Sequence, residues 1–404
     1  MTTERTSQLR VLALVMLPIA LFLERGVYYQ FRAAFAVRAI DAGATSKEFG
    51  AVLAIGIWVG VGGYVVGGLL SLVRGHLACL IGLGIAMLGY LLMSVAPSGW
   101  AAATLLVSFG AGCTTLGFYA AVARACSTFG QRVGGVALLL VASNIGGFIG
   151  PLGATATRVS PWLAYVGLLP VLLSVLLAAV DWWMASTWER THLREETSVN
   201  WAHAAGVTAA CIAVAALTAP IDEVAGSALF QAIAKGGGPP SLYAVGTLVT
   251  VVGALVGSLA LGLTGLVAPR ALPPAPVFGS GLLCAGLGGG IGAAGGALGI
   301  TAALWVATFF GGLGTTLVDI LLLAFVASAL SRRYVGLGLL VYFAVSRAVG
   351  GVLFGLSSAS PDAGTVLGAL CAGGTLLLGV VVLVLSKVLS AWLVKEPEAE
   401  PTSA

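Results

Sequence analysis

The chain has 404 residues, of which 59% are hydrophobic and only 8% charged, with a formal net charge of +4. Soluble domains carry about 25% charged residues, so lipid rather than water must solvate most of this surface. The small net charge argues against a nucleic-acid partner, and the six cysteines stand singly without metal-ligand spacing.

A helix needs about 20 mostly apolar residues to cross a bilayer, and twelve such runs follow in order. Spans 1 to 6 cover Leu9 to Ala36, Phe49 to Val73, Leu77 to Val95, Trp100 to Cys126, Val133 to Thr155 and Trp162 to Met184. Spans 7 to 12 cover Trp201 to Ala234, Leu242 to Val267, Val277 to Gly296, Ile300 to Leu330, Val335 to Ser357 and Gly364 to Val394. Only the stretch Gly-Gly-Ala-Leu-Gly separates spans 9 and 10. The runs are long and lack polar–apolar alternation, which excludes a β-barrel. The first span carries Glu24 and Arg25 and reads as a retained helix rather than a cleaved leader. The fold class is therefore all-α, a polytopic membrane protein of twelve transmembrane helices.

Basic residues set the orientation. With the amino terminus in the cytoplasm, twelve of the 19 Lys and Arg lie on the cytoplasmic side and four on the other, with Arg25, Arg32 and Arg347 inside spans. Both termini are expected in the cytoplasm and the chain in the plasma (inner) membrane. The polar stretch from Ser186 to Asn200 falls near mid-chain. Six helices, a charged linker and six more helices match the two-bundle plan of the major facilitator superfamily. The expected organisation is a six-helix bundle over 1–185, a cytoplasmic linker over 186–200, a second bundle over 201–395 and a disordered acidic tail over 396–404. Arg74-Gly75-His76 occupies the place of that superfamily's basic loop, with Ser71 where an Asp is usual.

Charge inside a span costs about 2.5–3.5 kcal/mol or more, and therefore marks a polar cavity with paired groups. The in-span set is Glu24, Arg25, Arg32, Asp222, Glu223, Asp319 and Arg347. Arg25 and Arg32 are seven apart and share one helix face, with Tyr28 on or near it. Such a stripe suits an anionic or zwitterionic solute, because a guanidinium grips a carboxylate with two parallel hydrogen bonds. The alternative is a set of buried ion pairs that fix helix packing; Arg347 in particular could simply neutralise Asp319.

Glu24-Arg25-Gly26-Val27-Tyr28-Tyr29-Gln30-Phe31-Arg32-Ala33 resembles the first-helix signature of the proton-dependent oligopeptide transporter family, Glu-x-x-Glu-Arg-Phe-x-Tyr-Tyr-Gly-x-Arg-Ala. Ser143 to Leu152 is similar to that family's fifth-helix Asn-x-Gly-x-Phe-x-x-Pro-Leu run, and Glu223 to Leu229 to its Glu-Gln-x-Gly-Ser-Ser-Leu. Asp319 stands where the family has a Glu, ahead of the aromatic pair Tyr342-Phe343. Leu21 replaces the first Glu of the signature, Thr115 replaces a Lys, and no Lys occurs in span 4.

The resemblance implies a secondary active transporter, a proton-coupled symporter of small peptides or related zwitterionic or anionic solutes. Arg25 would hold the solute's carboxylate, Asp319 its amino group, and Tyr28 and Tyr29 would line the pocket. Arg32 and Glu223 would pair across the bundles as an outer gate released by protonation, with Glu24 a second proton carrier. Burial favours a neutral carboxyl and a nearby Arg an ionised one, so such groups titrate as partners move. The partners implied are a solute, possibly a di- or tripeptide, and the bilayer, with no cofactor beyond a proton gradient. The rival readings are an exporter of drug-like or natural-product compounds on the same fold and a binding sensor without flux. A membrane enzyme is disfavoured, since His76, His192 and His203 all lie near helix ends, far from Glu223.

Overall fold

A computed structural model describes residues 14–31, 39, 43–73, 77–126, 128–159, 175, 176, 179, 199–235, 241–359 and 361–394. Eleven of the twelve expected spans are helices among them. These are α1 (14–31), α2 (Ser46–Val73), α3 (Leu77–Val95), α4 (Trp100–Ala125), α5 (Phe129–Val159), α6 (Trp201–Lys235), α7 (Ser241–Val267), α8 (Pro274–Leu298), α9 (Thr301–Ser328), α10 (Val335–Ala359) and α11 (Pro361–Val384). Span 6, most of the linker and the acidic tail lie outside the described residues, although 175, 176 and 179 are helical.

The chain folds as a polytopic all-α membrane protein. Lipid offers no hydrogen bonds, so each segment satisfies its own backbone as a helix. Eight described helices are long and apolar enough to cross a membrane. Hydroxyls within the spans bond back to the preceding turn, as Thr308 Oγ1 does to the Leu304 carbonyl at 2.6 Å and Thr375 Oγ1 to Cys371 at 2.7 Å.

Two boundaries carry detail that composition does not show. Between α8 and α9 only Gly299 and Ile300 intervene. Gly299 adopts φ 69°, which only glycine takes without strain, and the Ile300 amide closes the turn onto the Gly295 carbonyl at 2.9 Å. Span 12, expected to run unbroken to Val394, instead ends at Val384. A separate short helix, α12 (Ser386–Leu393), follows and buries Leu393. The break falls where Ser386 and Lys387 interrupt the apolar run.

Helix packing repeats between the halves. The pairs α3–α4 and α2–α4, spans 3–4 and 2–4, recur as α8–α9 and α7–α9, spans 9–10 and 8–10. Across the halves, α2 packs on α10 and α5 on α7, that is, span 2 on 11 and span 5 on 8. Exchanging the halves, so that span 2 becomes 8 and span 11 becomes 5, turns one pair into the other, the mark of two related bundles facing one another. Glycine permits the close approach: a Cβ on Gly130 would meet the Pro269 Cα at 2.6 Å, and one on Gly265 the Gly134 amide at 2.7 Å.

Candidate functional site

The apolar core divides in a way that locates the site. One large cluster joins both halves and lies at the face where α2 and α4 end and α5 and α10 begin, here termed the basic face. It contains Leu17, Phe118, Val133, Phe278, Phe325 and Leu339. Toward the opposite face the core splits in two. Val27, Phe31, Ala86, Tyr90, Met93, Ala103 and Val107 cluster within the first half, and Ile221, Ala285 and Cys371 within the second. Among the described residues, the halves thus share one core at the basic face and form separate clusters beyond mid-depth.

Two buried arginines reinforce the seal. Arg124, only 1% exposed, donates from Nε to the Arg332 carbonyl at 2.9 Å and from Nη2 to the carbonyls of Ser71 and Arg333. Arg132 donates to the Ala327 carbonyl at 2.7 Å. Both reach from the first half to the end of α9 or the loop after it. Phe129 of α5 stacks on Phe325 of α9, with centroids 5.2 Å apart. Ser71 also touches Gly336, at the start of α10.

Directly above the seal lie the polar residues. Tyr64, Thr115, Asp319 and Phe343 each sit eight to ten residues from the basic-face end of their helix. At 1.5 Å per residue that is about 12–15 Å, close to mid-membrane. On α1, Arg25 Nε lies 3.4 Å from the carboxylate of Glu24, which is fully buried and accepts no hydrogen bond. The Arg25 guanidinium lies 5.3 Å from the Tyr28 ring centre and donates from Nη2 to Thr115 Oγ1. That hydroxyl in turn donates to the Ala111 carbonyl at 2.7 Å, which leaves its lone pairs toward Arg25. Tyr28 and Tyr29 meet edge to face at 5.1 Å.

Aromatic rings carry the site across to the second half. Tyr64 stacks on Phe343 at 5.4 Å with the planes 12° apart, and Tyr119 meets the same ring at 5.4 Å. Arg25 and Asp319 both act electrostatically on the Tyr119 phenol, and Arg25 and Arg347 both act on that of Tyr64. Glu24, Arg25, Tyr28 and Tyr29 lie together on α1, and Asp319 stands across from them at the same depth, on α9, within electrostatic reach of Tyr119. The structure adds Tyr64, Thr115, Tyr119, Phe343 and Arg347 around them.

Arg32 lies outside the described residues. Glu223 stands in α6 three residues after Pro220, but its side chain lies outside the described set. Pro220 supplies no amide to the Ala216 carbonyl, so α6 is weakened immediately before the acidic pair Asp222-Glu223. Arg124 and Arg132 belong to the twelve basic residues expected on the cytoplasmic side, and both are buried. Tyr64 has one local signal, a polar aromatic directly after the glycine-rich stretch Gly60-Val61-Gly62-Gly63.

The same architecture occurs in solved transporters. A bacterial homologue of the iron transporter ferroportin, in its outward-facing state, superposes with a TM-score of 0.66 at 12% identity, covering 93% of this chain and 99% of that one. The major facilitator superfamily transporter FucP, in its outward conformation, gives 0.65 at 12% identity, with the same coverage. The fold is the major facilitator fold. The pseudo-equivalent pairings α2–α10 and α5–α7 fit that plan. No protein-family model matches the sequence, and neither does any curated protein.

Proposed function

We propose that the chain is a secondary active transporter, a proton-coupled symporter of small peptides or related zwitterionic or anionic solutes that works by alternating access. The observation that carries this reading is the pair of opposite charges from different halves at mid-depth: Arg25, held by Thr115 of α4, and Asp319, nine residues from the basic-face end of α9. Opposite charges held apart around an aromatic wall suit a solute with a carboxylate at one end and an ammonium at the other. Arg25 holds the carboxylate, Asp319 meets the amino group, and Tyr28 and Tyr29 line the pocket.

The bundles are the segments 1–185 and 201–395, joined by the linker 186–200 and followed by the tail 396–404. The basic face and both termini are cytoplasmic, in the plasma membrane. The sealed basic face then makes this the outward-facing state. Rocking about the mid-depth site breaks the Arg124 and Arg132 seals and closes the outer face, where Arg32 pairs with Glu223. Protonation of Glu223 releases that pair, since a neutral acid no longer holds a guanidinium, and Glu24 is the second proton carrier. The proton gradient is the driving force and no cofactor takes part.

The test is uptake of labelled di- and tripeptides into proteoliposomes with and without an imposed pH gradient. Accumulation that follows the gradient supports the reading. Failure of every peptide, with gradient-driven movement of drug-like compounds in the opposite direction, would replace it with the exporter.

A further inference from the structure

We propose that α12 is an interfacial anchor that docks on anionic phospholipid at the basic face, with Lys387 at the headgroup phosphate and Val388 and Trp392 among the first acyl carbons. The anchor stands apart from the choice of solute, since it uses no residue of the mid-depth site.

Length sets the depth of α12. The preceding helix, α11, has 24 residues, about 36 Å against a hydrocarbon core of about 30 Å. It crosses the core by itself, so α12 begins at headgroup level. The joint is Leu385, with φ −90° and ψ 15°.

Beyond that joint the helix carries three faces, each marked by residues four apart. Leu389 and Leu393 turn toward the core shared by both halves, where Leu393 is buried. Ser386 and Ser390 make a half-buried polar edge. Val388, 69% exposed, and Trp392, 41% exposed, form an outward apolar face with Ala391. Lys387 is exposed between the polar edge and the apolar face. The helix is fixed in this orientation by packing on α8 and α11. The Trp392 ring meets His203 of α6 edge to face at 5.7 Å, and a Cβ on Gly206 would touch it at 3.7 Å.

An apolar face at headgroup level is unfavourable in water, and with a lysine and a polar edge beside it, it fits the boundary between headgroups and acyl chains. Tryptophan is enriched at that boundary, and a lysine there extends its amine to the phosphates. The cations set the class of headgroup. Besides Lys387, Arg270 in the turn after α7 and Arg333 before α10 are exposed at this face. A lipid of net negative charge is drawn to such a surface more strongly than a zwitterionic one. The acidic run from Glu396 follows Leu393 by three residues and is the competing occupant. Because Leu393 belongs to the cluster that joins the halves, lipid that holds α12 also steadies the closed basic face.

The test uses full-length protein carrying Val388→Cys, labelled with the fluorophore NBD, in phosphatidylcholine nanodiscs. The unsubstituted chain, treated alike, gives the background from its own six cysteines. Guest phosphatidylglycerol and guest phosphatidylcholine, each with the same nitroxide high on an acyl chain, serve as quenchers. Both are expected to quench the label more than aqueous acrylamide does. Phosphatidylglycerol is expected to reach the same quenching at a mole fraction about fivefold lower. Lys387→Gln is expected to reduce that preference and Lys387→Arg to keep it. Equal quenching by the two lipids, or a preference that Lys387→Gln leaves unchanged, overturns the headgroup contact. Quenching by acrylamide above that by either lipid places α12 in water and overturns the anchor. A label reached by none of the three is covered by the acidic tail or another protein surface, which overturns it as well. Should Val388→Cys not give monodisperse protein, Ala391→Cys reports from the same face with the same outcomes.

Discussion

Arg124 of α4 donates from Nε to the backbone carbonyl of Arg332 at 2.9 Å, across 208 residues of chain. The acceptor is a loop carbonyl, so the bond needs both halves in register but no matching acid. Arg124 Nη2 also donates to the carbonyls of Ser71 and Arg333, which lie on either side of the same junction. A hydrogen bond from a charged donor contributes about 1.5–3 kcal/mol, and a buried carbonyl left without its donor adds a further penalty. Arg124→Ala is therefore expected to loosen the basic-face seal. Cys126, fully buried in the joint cluster, is a native reporter. Its alkylation by a small maleimide is expected to rise by about tenfold or more in Arg124→Ala. Cys371, in the separate cluster toward the opposite face, is expected to change little. Equal rates at Cys126 in both proteins would remove Arg124 from the seal.

Thr115 holds the guanidinium that the transport reading assigns to the solute. Thr115→Val keeps the shape and removes the acceptor, whereas Thr115→Ser keeps the oxygen. Loss of one charge-assisted hydrogen bond corresponds to about tenfold or more in affinity. Thr115→Val is expected to raise the solute's Kd by that factor and Thr115→Ser by far less, measured by binding titration. A Ser variant as weak as the Val variant would show that the methyl group, not the hydroxyl, matters.

Much of this arrangement is legible without coordinates, for physical reasons. Apolar runs long enough to span lipid leave little freedom, and the expected third span, Leu77–Val95, coincides with α3. Charges in lipid are rare enough to single out Glu24, Arg25 and Asp319, and these do converge on the site. What is not legible depends on contacts between distant segments. Arg124 and Arg132 stand at span ends, where an arginine is ordinarily solvated; only the opposing half buries them. The stacking of Tyr64 on Phe343 joins α2 to α10 and leaves no local pattern in either. The break at Leu385 is marked only by Ser386 and Lys387, two residues after which valine and leucine resume, too brief an interruption to read as a helix end.

The amino end of α2 supplies a pH-dependent feature outside the membrane. Thr45 and Glu48 form a capping box: the Thr45 amide and hydroxyl each donate to Glu48 Oε2 at 2.8 Å, and the Glu48 amide donates to Thr45 Oγ1 at 3.2 Å. The backbone hydrogen bond first, and then the side-chain one, hold the Glu48 carboxyl below its ordinary value. Because the folded value is depressed, the cap is fully formed above the free-glutamate value of about 4.3 and weakens as pH falls through the lower, folded one. Hydrogen exchange at the Glu48 amide, corrected for intrinsic rates, is expected to speed up below about pH 4. Thr45→Ala is expected to show fast exchange already at neutral pH. Protection independent of pH would mean that the carboxylate does not hold the cap.

Glu24 offers the sharpest test of coupling. Its carboxylate is fully buried, accepts no hydrogen bond from the described residues and lies 3.4 Å from Arg25. A buried acid so placed is not explained by stability, since unsatisfied carboxylate oxygens are unfavourable in the interior. Glu24→Gln keeps the shape and fixes the neutral form. If Glu24 carries a coupled proton, the variant is expected to equilibrate solute across the membrane without accumulating it, so the pH-gradient effect on uptake falls to none. Solute exchange without a gradient is expected to continue, because Arg25 and Thr115 remain in place. Glu223→Gln gives the comparison: it is expected to abolish driven accumulation by releasing Arg32 at the outer gate, with Arg25 undisturbed. Loss of accumulation in Glu223→Gln alone would assign coupling to the outer gate and leave Glu24 as the counter-charge of Arg25. Accumulation undiminished in both variants would remove both acids from the proton path.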